Sequence, residues 1–308
     1  MIPGIGMTSV SLSRQYQTAV VQGGYIYTSS DYGVTWVERS SAGSRGWSFV
    51  SISSNGQYQN AVATFNYVYT SSDYGATWTP RTVPTSLWVS SAINSTGQYQ
   101  AITSNEFIYS SSDYGVNWAE NTGAGARYYY GISISSTGQY QTALNNNGYI
   151  YTSSNYGVDW TQRTSAGSGA WKSVSINGDG QYQTAVSASS SYIYTSSDYG
   201  ANWTARTIDD TYYWLAVSIS STGQYQTAIN TPADSGYIYT SNNYGVDWTK
   251  KTSVGSRYWY AVSISSTGQY QFAVVAEGYI YSSIDFGANW TQNTSAGSRN
   301  WTGIAINK

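Results

Sequence analysis

The sequence lacks several residue types on which many protein functions depend. Its 308 residues include no cysteine and no histidine, which removes disulfides, thiolate chemistry and the commonest general base and metal ligand. Charged residues make up 9% of the chain, the net charge is −2, and no run of Lys or Arg occurs. We therefore expect no nucleic-acid partner, because binding to phosphates requires an excess of positive charge. The absence of a long apolar run likewise predicts no insertion into a membrane.

The sequence is instead rich in aromatic residues and in repetition. Aromatic residues make up 17% of the chain, and a segment of the form S-x-D-x-G-x-x-W, with Asn in place of Asp in two copies, recurs seven times. The copies are SSDYGVTW (29–36), SSDYGATW (71–78), SSDYGVNW (111–118), SSNYGVDW (153–160), SSDYGANW (196–203), SNNYGVDW (241–248) and SIDFGANW (283–290). Their tryptophans are Trp36, Trp78, Trp118, Trp160, Trp203, Trp248 and Trp290, at spacings of 42, 40, 42, 43, 45 and 42 residues.

This period predicts the architecture. A repeat of about 40–45 residues is typical of a four-stranded propeller blade. Each period contains four short segments rich in Val, Ile, Tyr, Thr and Trp, separated by Ser, Gly, Asn and Asp. Consecutive bulky residues, as in YIYT (25–28), indicate strands buried on both faces, as in a blade packed between two neighbours. We predict an all-β fold, a seven-bladed β-propeller of four-stranded antiparallel blades that forms a single domain over residues 1–308.

The two ends of the chain both carry the motif of the innermost strand. This motif occurs eight times, one more than seven blades need. The copy at 7–13 has Met7 in place of an aromatic residue and a shortened turn after it, whereas the copy at 301–307 keeps Trp301 and the full spacing. We therefore predict that 301–307 completes the blade formed by residues 15–40, so that N- and C-terminal strands share one blade and close the ring. Residues 1–12 would then be an additional strap, a frayed end or a link to further repeats.

The repeated segment resembles the Asp-box, or bacterial neuraminidase repeat, of sialidases, sortilin-type receptors, photosystem II assembly factors and several glycoside hydrolases. The resemblance covers nearly the whole chain and implies that each box forms the turn between the third and fourth strands of a blade, away from the centre. The residues favour a structural role, because Gly33 suits an unusual backbone conformation, Asp31 can accept hydrogen bonds within the turn, and Trp36 can anchor it. The third-position residues given this structural role are Asp31, Asp73, Asp113, Asn155, Asp198, Asn243 and Asp285.

Each box contains one acidic residue at its third or seventh position. Asp113 faces Asn117, for example, whereas Asn155 faces Asp159. Two neighbouring carboxylates would repel each other, so we interpret one acid per turn as a packing rule. A single carboxylate also argues against calcium, which usually takes several charged oxygens. We predict no metal site and no cofactor.

One face of the predicted ring carries the connections whose lengths differ, namely those between second and third strands and those between blades. The loops between blades place an aromatic residue at a fixed position, with an arginine two residues before it in four copies. Such a pair could stack and hydrogen-bond a sugar, or the aromatic ring could close the cleft between blades with the arginine lying across it. The candidate ligand-binding residues are Arg45, Trp47, Trp88, Arg127, Tyr129, Trp171, Trp214, Arg257, Trp259, Arg299 and Trp301.

The resemblance to sialidases does not extend to their catalytic residues. Four arginines recur three residues after a box tryptophan, which indicates a ring of repeated positions and not one convergent cluster: Arg39, Arg81, Arg163 and Arg206. No pattern assembles the acids of the variable face into the pair that a glycosidase needs. Those acids are Glu106, Glu277, Asp209, Asp210 and Asp234. We therefore expect no enzyme.

The sequence favours a rigid binding propeller, most simply a multivalent, lectin-like carbohydrate-binding module with sites between blades. The alternative is a protein-interaction or assembly scaffold with one asymmetric patch near residues 230–236, and a glycoside hydrolase is the third possibility. Near-identical aromatic pockets would favour the first, and a single patch of unlike residues would favour the second. The expected partners are glycans or a protein, and a monomer is expected.

Overall fold

The computed structural model describes residues 14–208, 213–230 and 235–308. The expectations for residues 1–12 and for Asp209, Asp210 and Asp234 lie outside these ranges. The described strands are, in chain order, β1 (Gln17–Gly24), β2 (Ile26–Ser29), β3 (Val37–Arg39), β4 (Arg45–Ile52), β5 (Gln59–Ala63), β6 (Asn66–Ser71), β7 (Thr79–Ser86), β8 (Trp88–Ile93), β9 (Gln100–Ser104), β10 (Ile108–Ser111), β11 (Ala119–Glu120), β12 (Tyr129–Ile134), β13 (Gln141–Gly148) and β14 (Ile150–Ser153). They continue as β15 (Thr161–Arg163), β16 (Gly169–Ile176), β17 (Gln183–Ser187), β18 (Ile193–Ser196), β19 (Thr204–Arg206), β20 (Trp214–Ile219), β21 (Gln226–Asn230), β22 (Ile238–Ser241), β23 (Thr249–Lys251), β24 (Trp259–Ile264), β25 (Gln271–Val275), β26 (Ile280–Ser283), β27 (Thr291–Asn293) and β28 (Trp301–Ile306). Two single-turn 3-10 helices, Ser40–Ala42 and Thr122–Ala124, are the helices found in the described ranges.

The described strands group into seven four-stranded antiparallel units, which confirms the predicted fold class. Blade 1 contains β28, β1, β2 and β3, and the later blades take four consecutive strands each, from β4–β7 in blade 2 to β24–β27 in blade 7. The innermost strands contact one another in the order β28, β4, β8, β12, β16, β20, β24 and back to β28. The units therefore form a closed ring around a central channel.

The ring closes as the sequence predicts. Strand β28 pairs antiparallel with β1, with Ile306 opposite Gln17 and Trp301 opposite Val21. The side chain of Asn307 continues this connection, because its Oδ1 accepts a 2.8 Å hydrogen bond from the Tyr16 backbone N–H. Strand β28, from the C-terminal part of the chain, thus completes blade 1, whose other three strands come first in the described part.

The hydrophobic core lies between blades and not inside any single one. One cluster, for example, combines Val20 and Ile26 of blade 1 with Trp47, Val50 and Tyr69 of blade 2. Second strands such as β5 and β9 are buried along their whole length. A sheet with a neighbour on each side buries both of its faces, which explains why bulky residues stand at consecutive positions in these strands.

Each box forms the turn between the third and fourth strands, as the resemblance implies. In the first copy the Gly33 N–H donates to Ser29 Oγ (3.0 Å) and the Thr35 N–H donates to Asp31 Oδ1 (2.9 Å). The indole Nε1 of Trp36 donates to the Gly33 carbonyl (3.0 Å), and the φ of Gly33 is 76°. Every defining residue of the box is therefore engaged in the turn itself.

The aromatic residue at the fourth box position joins neighbouring blades. The fourth-position residues have φ near 60°, a conformation that costs energy for a residue other than glycine. In this conformation each ring contacts a tyrosine in the first turn of the adjacent blade, with 4.6 Å between the ring centres of Tyr58 and Tyr114. The pairs are Tyr16–Tyr74, Tyr58–Tyr114, Tyr99–Tyr156, Tyr140–Tyr199, Tyr182–Tyr244, Tyr225–Phe286 and Tyr270–Tyr32. The last pair joins blade 7 to blade 1.

Candidate functional site

The repeated aromatic residues of the interblade loops are buried. At most 1% of each side chain is exposed at Trp47, Trp88, Tyr129, Trp171, Trp214, Trp259 and Trp301. Trp47 packs edge-on against Tyr69 of its own blade, with 5.1 Å between the ring centres, and its Nε1 donates to the Gly24 carbonyl of the preceding blade (3.1 Å). Ligand contact by these rings stays a prediction, and it would require the rings to become exposed.

The four arginines that precede these aromatic residues lie over tyrosines of the third strands. The guanidinium carbon of Arg45 is 4.9 Å from the centre of the Tyr69 ring, and that of Arg299 is 4.6 Å from the centre of the Tyr27 ring. Arg127 and Arg257 lie in the same way over Tyr151 and Tyr281. The cation–π interpretation therefore describes these contacts, but the partner is a third-strand tyrosine and not the interblade aromatic residue.

The central channel has a volume of about 370 Å³ and is lined by the innermost strands. Serines in the middle of these strands bind the next blade through their hydroxyl groups. Ser133 Oγ accepts from the Ile176 N–H (3.1 Å), Ser218 Oγ from the Ile264 N–H and Ser263 Oγ from the Ile306 N–H (3.2 Å each). Serine is small enough for the centre, where seven strands converge, and its hydroxyl links neighbouring blades.

A bulge lies at the entrance to the channel in every blade. The pairing between first and second strands shifts register directly after the buried aromatic residue, so that one residue is inserted there. Such a bulge re-aims a side chain and is common next to functional sites. In blade order the inserted residues are Thr302, Ser48, Val89, Tyr130, Lys172, Leu215 and Tyr260.

The inserted residues make the entrance asymmetric. Blades 4 to 7 contribute a contiguous set of large side chains that all line the channel, and we call it the mouth arc: Tyr130, Lys172, Leu215 and Tyr260. Blades 1 to 3 contribute Thr302, Ser48 and Val89. Ser48 Oγ donates to the Trp88 carbonyl (2.9 Å) and Thr302 Oγ1 to the Trp47 carbonyl (2.7 Å), so these hydroxyls are engaged within the ring.

The side chains of the mouth arc contact one another. The Lys172 ammonium nitrogen lies 4.1 Å from the centre of the Tyr130 ring, and the ring of Tyr128 lies 6.1 Å from that of Tyr130. Burial raises the pKa of Tyr260, and the nearby hydroxyls of Tyr130 and Tyr258 raise it further. Tyr258 and Tyr260 nevertheless remain 42% and 36% exposed, so the arc offers aromatic surface at the channel entrance.

Sequence comparison between copies did not identify the mouth arc, although a signal for it exists. The residue directly after the buried aromatic residue varies, with six residue types in seven blades, and the residue directly before it is tyrosine in three blades, at Tyr128, Tyr213 and Tyr258. The residues that repeat between copies are instead those that hold the blades together. Variation at a single position inside a repeated strand is the pattern that predicts a site.

Two of the acids predicted on the variable face, Glu106 and Glu277, lie within the described ranges. Glu106 and Glu277 do not line the central channel. Within the described ranges no group of acidic side chains is arranged to hold a metal ion. The same ranges contain no helix with the length and apolar character needed to cross a membrane.

The comparisons with known proteins agree with this geometry. The family described as BNR-Asp box repeat matches residues 193–205, the segment around the fifth box. No curated protein sequence matches the chain. Among solved structures, YCF48 bound to D1 peptide is 16% identical with a TM-score of 0.61, and the match covers 80% of this chain and 82% of that one.

Two further solved structures are enzymes. A GH74 enzyme from Niastella koreensis is 14% identical with a TM-score of 0.67, and 90% of this chain matches 46% of that one. Hydrazine synthase from Kuenenia stuttgartiensis is 13% identical with a TM-score of 0.64, and the match covers 78% of this chain and 77% of that one. Likeness at this level of identity shows the fold alone. The chain is a β-propeller, and its fifth box matches the Asp-box repeat of the bacterial neuraminidase type.

Proposed function

We propose that this propeller is a non-enzymatic binding protein that holds a segment of a partner protein at the mouth of its central channel. The observation that carries the proposal is the asymmetry of the mouth arc. Tyrosine, leucine and lysine side chains are gathered on one side of the entrance, at positions that the fold itself does not require to be large. A scaffold of repeated blades commonly carries its function at the positions where the repeats differ.

A protein partner accounts for the mouth arc better than repeated glycan sites do. Sites between blades would need exposed rings, and the repeated rings are buried. The arc instead forms one patch of unlike residues in which tyrosine predominates, and tyrosine is enriched among the residues that dominate protein interfaces. A propeller of similar fold is bound to a peptide in the YCF48 structure, which supports the same mode of use for this one.

The test is a selection from a random peptide library, with a glycan array screened in parallel. The comparison variant is Tyr130→Ser/Tyr260→Ser, which removes both rings of the mouth arc and leaves the buried core intact. Selected peptides should bind the unmodified protein and lose at least roughly tenfold in affinity for this variant, as expected for interface residues of high energetic weight. Thermal denaturation should show that the variant is folded.

Tyr192→Ser is the matched control. Tyr192 is an exposed tyrosine, 41% accessible, that does not line the channel. Its removal should leave peptide affinity unchanged. The proposal would be overturned if the library yields no binder, if peptides bind the double variant as well as the unmodified protein, or if glycans bind at several sites per chain.

A further inference from the structure

The charged side chains that line the central channel in the described part of the chain are both lysines. Lys172 and Lys308 are its charged lining residues, and no described carboxylate lines it, although the chain as a whole has a net charge of −2. Lys172 belongs to the mouth arc. Lys308 follows Asn307, whose Nδ2 donates to the Ser54 carbonyl (2.9 Å) in the turn at the opposite end of the channel. Of these two lysines, Lys172 is therefore the one at the entrance.

Among the described residues, the contact that positions Lys172 is with an aromatic ring. Its ammonium nitrogen lies 4.1 Å from the centre of the Tyr130 ring. A cation–π contact compensates part of the loss of hydration, but the three N–H donors of an ammonium group still need acceptors. The bulge in β16 places this side chain at the entrance, where it lines the channel.

The hydroxyl of Tyr260, which lines the same channel, is a second donor. Tyr260 lies close to Tyr130, the ring that Lys172 contacts, and burial together with Tyr130 and Tyr258 raises its pKa. The mouth arc therefore provides hydrogen-bond donors from a lysine and from a phenol. The group that accepts several such bonds and also balances the positive charge is a carboxylate.

Building on the proposed function, we infer that the mouth arc recognises an acidic residue of the partner segment. The carboxylate of an Asp or Glu side chain binds beside the Lys172 ammonium, and an adjacent apolar side chain packs on the rings of Tyr130 and Tyr260 and on Leu215. A basic or uncharged segment would leave the positive charge of the half-buried lysine unbalanced, so this arrangement selects segments in which an acidic residue lies next to an aromatic or aliphatic one.

The experiment uses two small probes of the same shape, 3-phenylpropionate and 3-phenylpropanamide, titrated into the protein by ligand-observed NMR. The carboxylate should bind about tenfold more tightly than the amide, which corresponds to one hydrogen-bonded charge pair. The preference should disappear in Lys172→Met, persist in Lys172→Arg and weaken as salt is added. Removal of the rings in Tyr130→Ser/Tyr260→Ser should weaken both probes.

Lys250→Met is the matched control, because the Lys250 ammonium nitrogen also lies over a tyrosine, 4.2 Å from the centre of the Tyr237 ring. This variant should keep the preference for the carboxylate. The inference would be wrong if both probes bind equally, if neither binds, or if Lys172→Met leaves the preference intact. In any of these cases the proposed function would still stand if selected peptides lose affinity for Tyr130→Ser/Tyr260→Ser. A failure of this inference can therefore be distinguished from a failure of the proposed function.

Discussion

At the scale of single residues, the third and seventh positions of each box form a donor–acceptor pair. Asp113 Oδ1 accepts from the Asn117 backbone N–H (2.9 Å), and its Oδ2 accepts from Asn117 Nδ2 (2.6 Å). In the exchanged box, Asn155 Nδ2 donates to Asp159 Oδ2 (2.8 Å), while the Asp159 N–H donates to Asn155 Oδ1 (2.9 Å). The rule of one acid per box thus reflects a shared hydrogen bond as well as the avoidance of repulsion.

The hydrogen-bonded pair of Asp113 and Asn117 can be tested by removing the bond and then exchanging the two residue types. Asn117→Asp should lower the free energy of unfolding by about 1 kcal/mol, because two carboxylates then face each other and one hydrogen bond is lost. Asp113→Asn added to this variant recreates the arrangement of the Asn155 box and should restore most of the stability. Urea denaturation of the three proteins measures this, and a double variant no more stable than Asn117→Asp would contradict the pairing.

The box carboxylates also predict how stability depends on pH. Partial burial alone would raise the pKa of Asp113, but hydrogen bonds from Asn117 and Ser111 outweigh it, so this pKa lies below its ordinary value of 3.8. The same balance lowers the pKa of Asp31, Asp73, Asp198 and Asp285. A carboxyl whose pKa is lower in the folded than in the unfolded chain stabilises the fold above the unfolded value and loses that effect as pH falls.

The melting temperature should therefore fall as the pH is lowered below about 4. Asp113→Asn, which removes one of the five carboxylates, should show a shallower fall over the same range. Differential scanning calorimetry between pH 7 and about pH 2 measures both. A melting temperature that stays constant to the acid end of this range would show that the carboxylates do not stabilise the turns.

At the scale of strands, the second strands bind their neighbours through a polar pair. Thr142 Oγ1 donates to Gln183 Oε1 of the next blade (2.7 Å), and Thr184 and Thr227 make the same bond to Gln226 and Gln271. In blade 3 the position of the threonine is taken by Ala101, and Gln141 Oε1 is buried without a hydrogen-bond partner. A buried acceptor that lacks a donor is a local weakness in the ring.

Ala101→Thr should remove this weakness. The new hydroxyl can donate to Gln141 Oε1 in the geometry that the other blades already show, and we expect a gain of about 1 kcal/mol in the free energy of unfolding. Ala101→Val is the control, because it adds nearly the same volume without a donor and should give no comparable gain. If chemical denaturation shows the same change in the free energy of unfolding for both substitutions, the change comes from packing and not from the hydrogen bond.

At the scale of the whole molecule, one strand closes the ring. Strand β28 is buried along its length, and Trp301 joins the core between blades 7 and 1. The aromatic pair Tyr32–Tyr270 closes the same seam on the face that carries the boxes. Closure therefore depends on contacts between residues at opposite ends of the described chain.

Deletion of residues 301–308 should be strongly destabilising. It removes the innermost strand of blade 1 and leaves the edge of β1 unpaired, which invites aggregation. Deletion of Lys308 alone keeps β28 and should have little effect on the melting temperature. A ring that melts at the same temperature without residues 301–308 would show that β28 is not its closing strand.

The fold could be predicted from sequence because its determinants repeat. The box turns, the buried aromatic residues between blades and the strand pattern recur seven times, so each position is supported by several copies. The mouth arc could not be found in the same way, because its four positions hold three different residue types, at Tyr130, Lys172, Leu215 and Tyr260. The blade-linking contacts of Tyr74 and its equivalents also escaped prediction, since they join residues about one blade apart in the chain.

The number of binding sites per chain tests the central claim most directly. Isothermal titration of a selected peptide should give one site per chain, because the mouth arc occurs once in the described ring. Binding should be lost in Tyr130→Ser/Tyr260→Ser and unchanged in Arg257→Ala, which alters a repeated interblade position. Several equivalent sites, one of which disappears in Arg257→Ala, would contradict the account and restore the multivalent interblade interpretation.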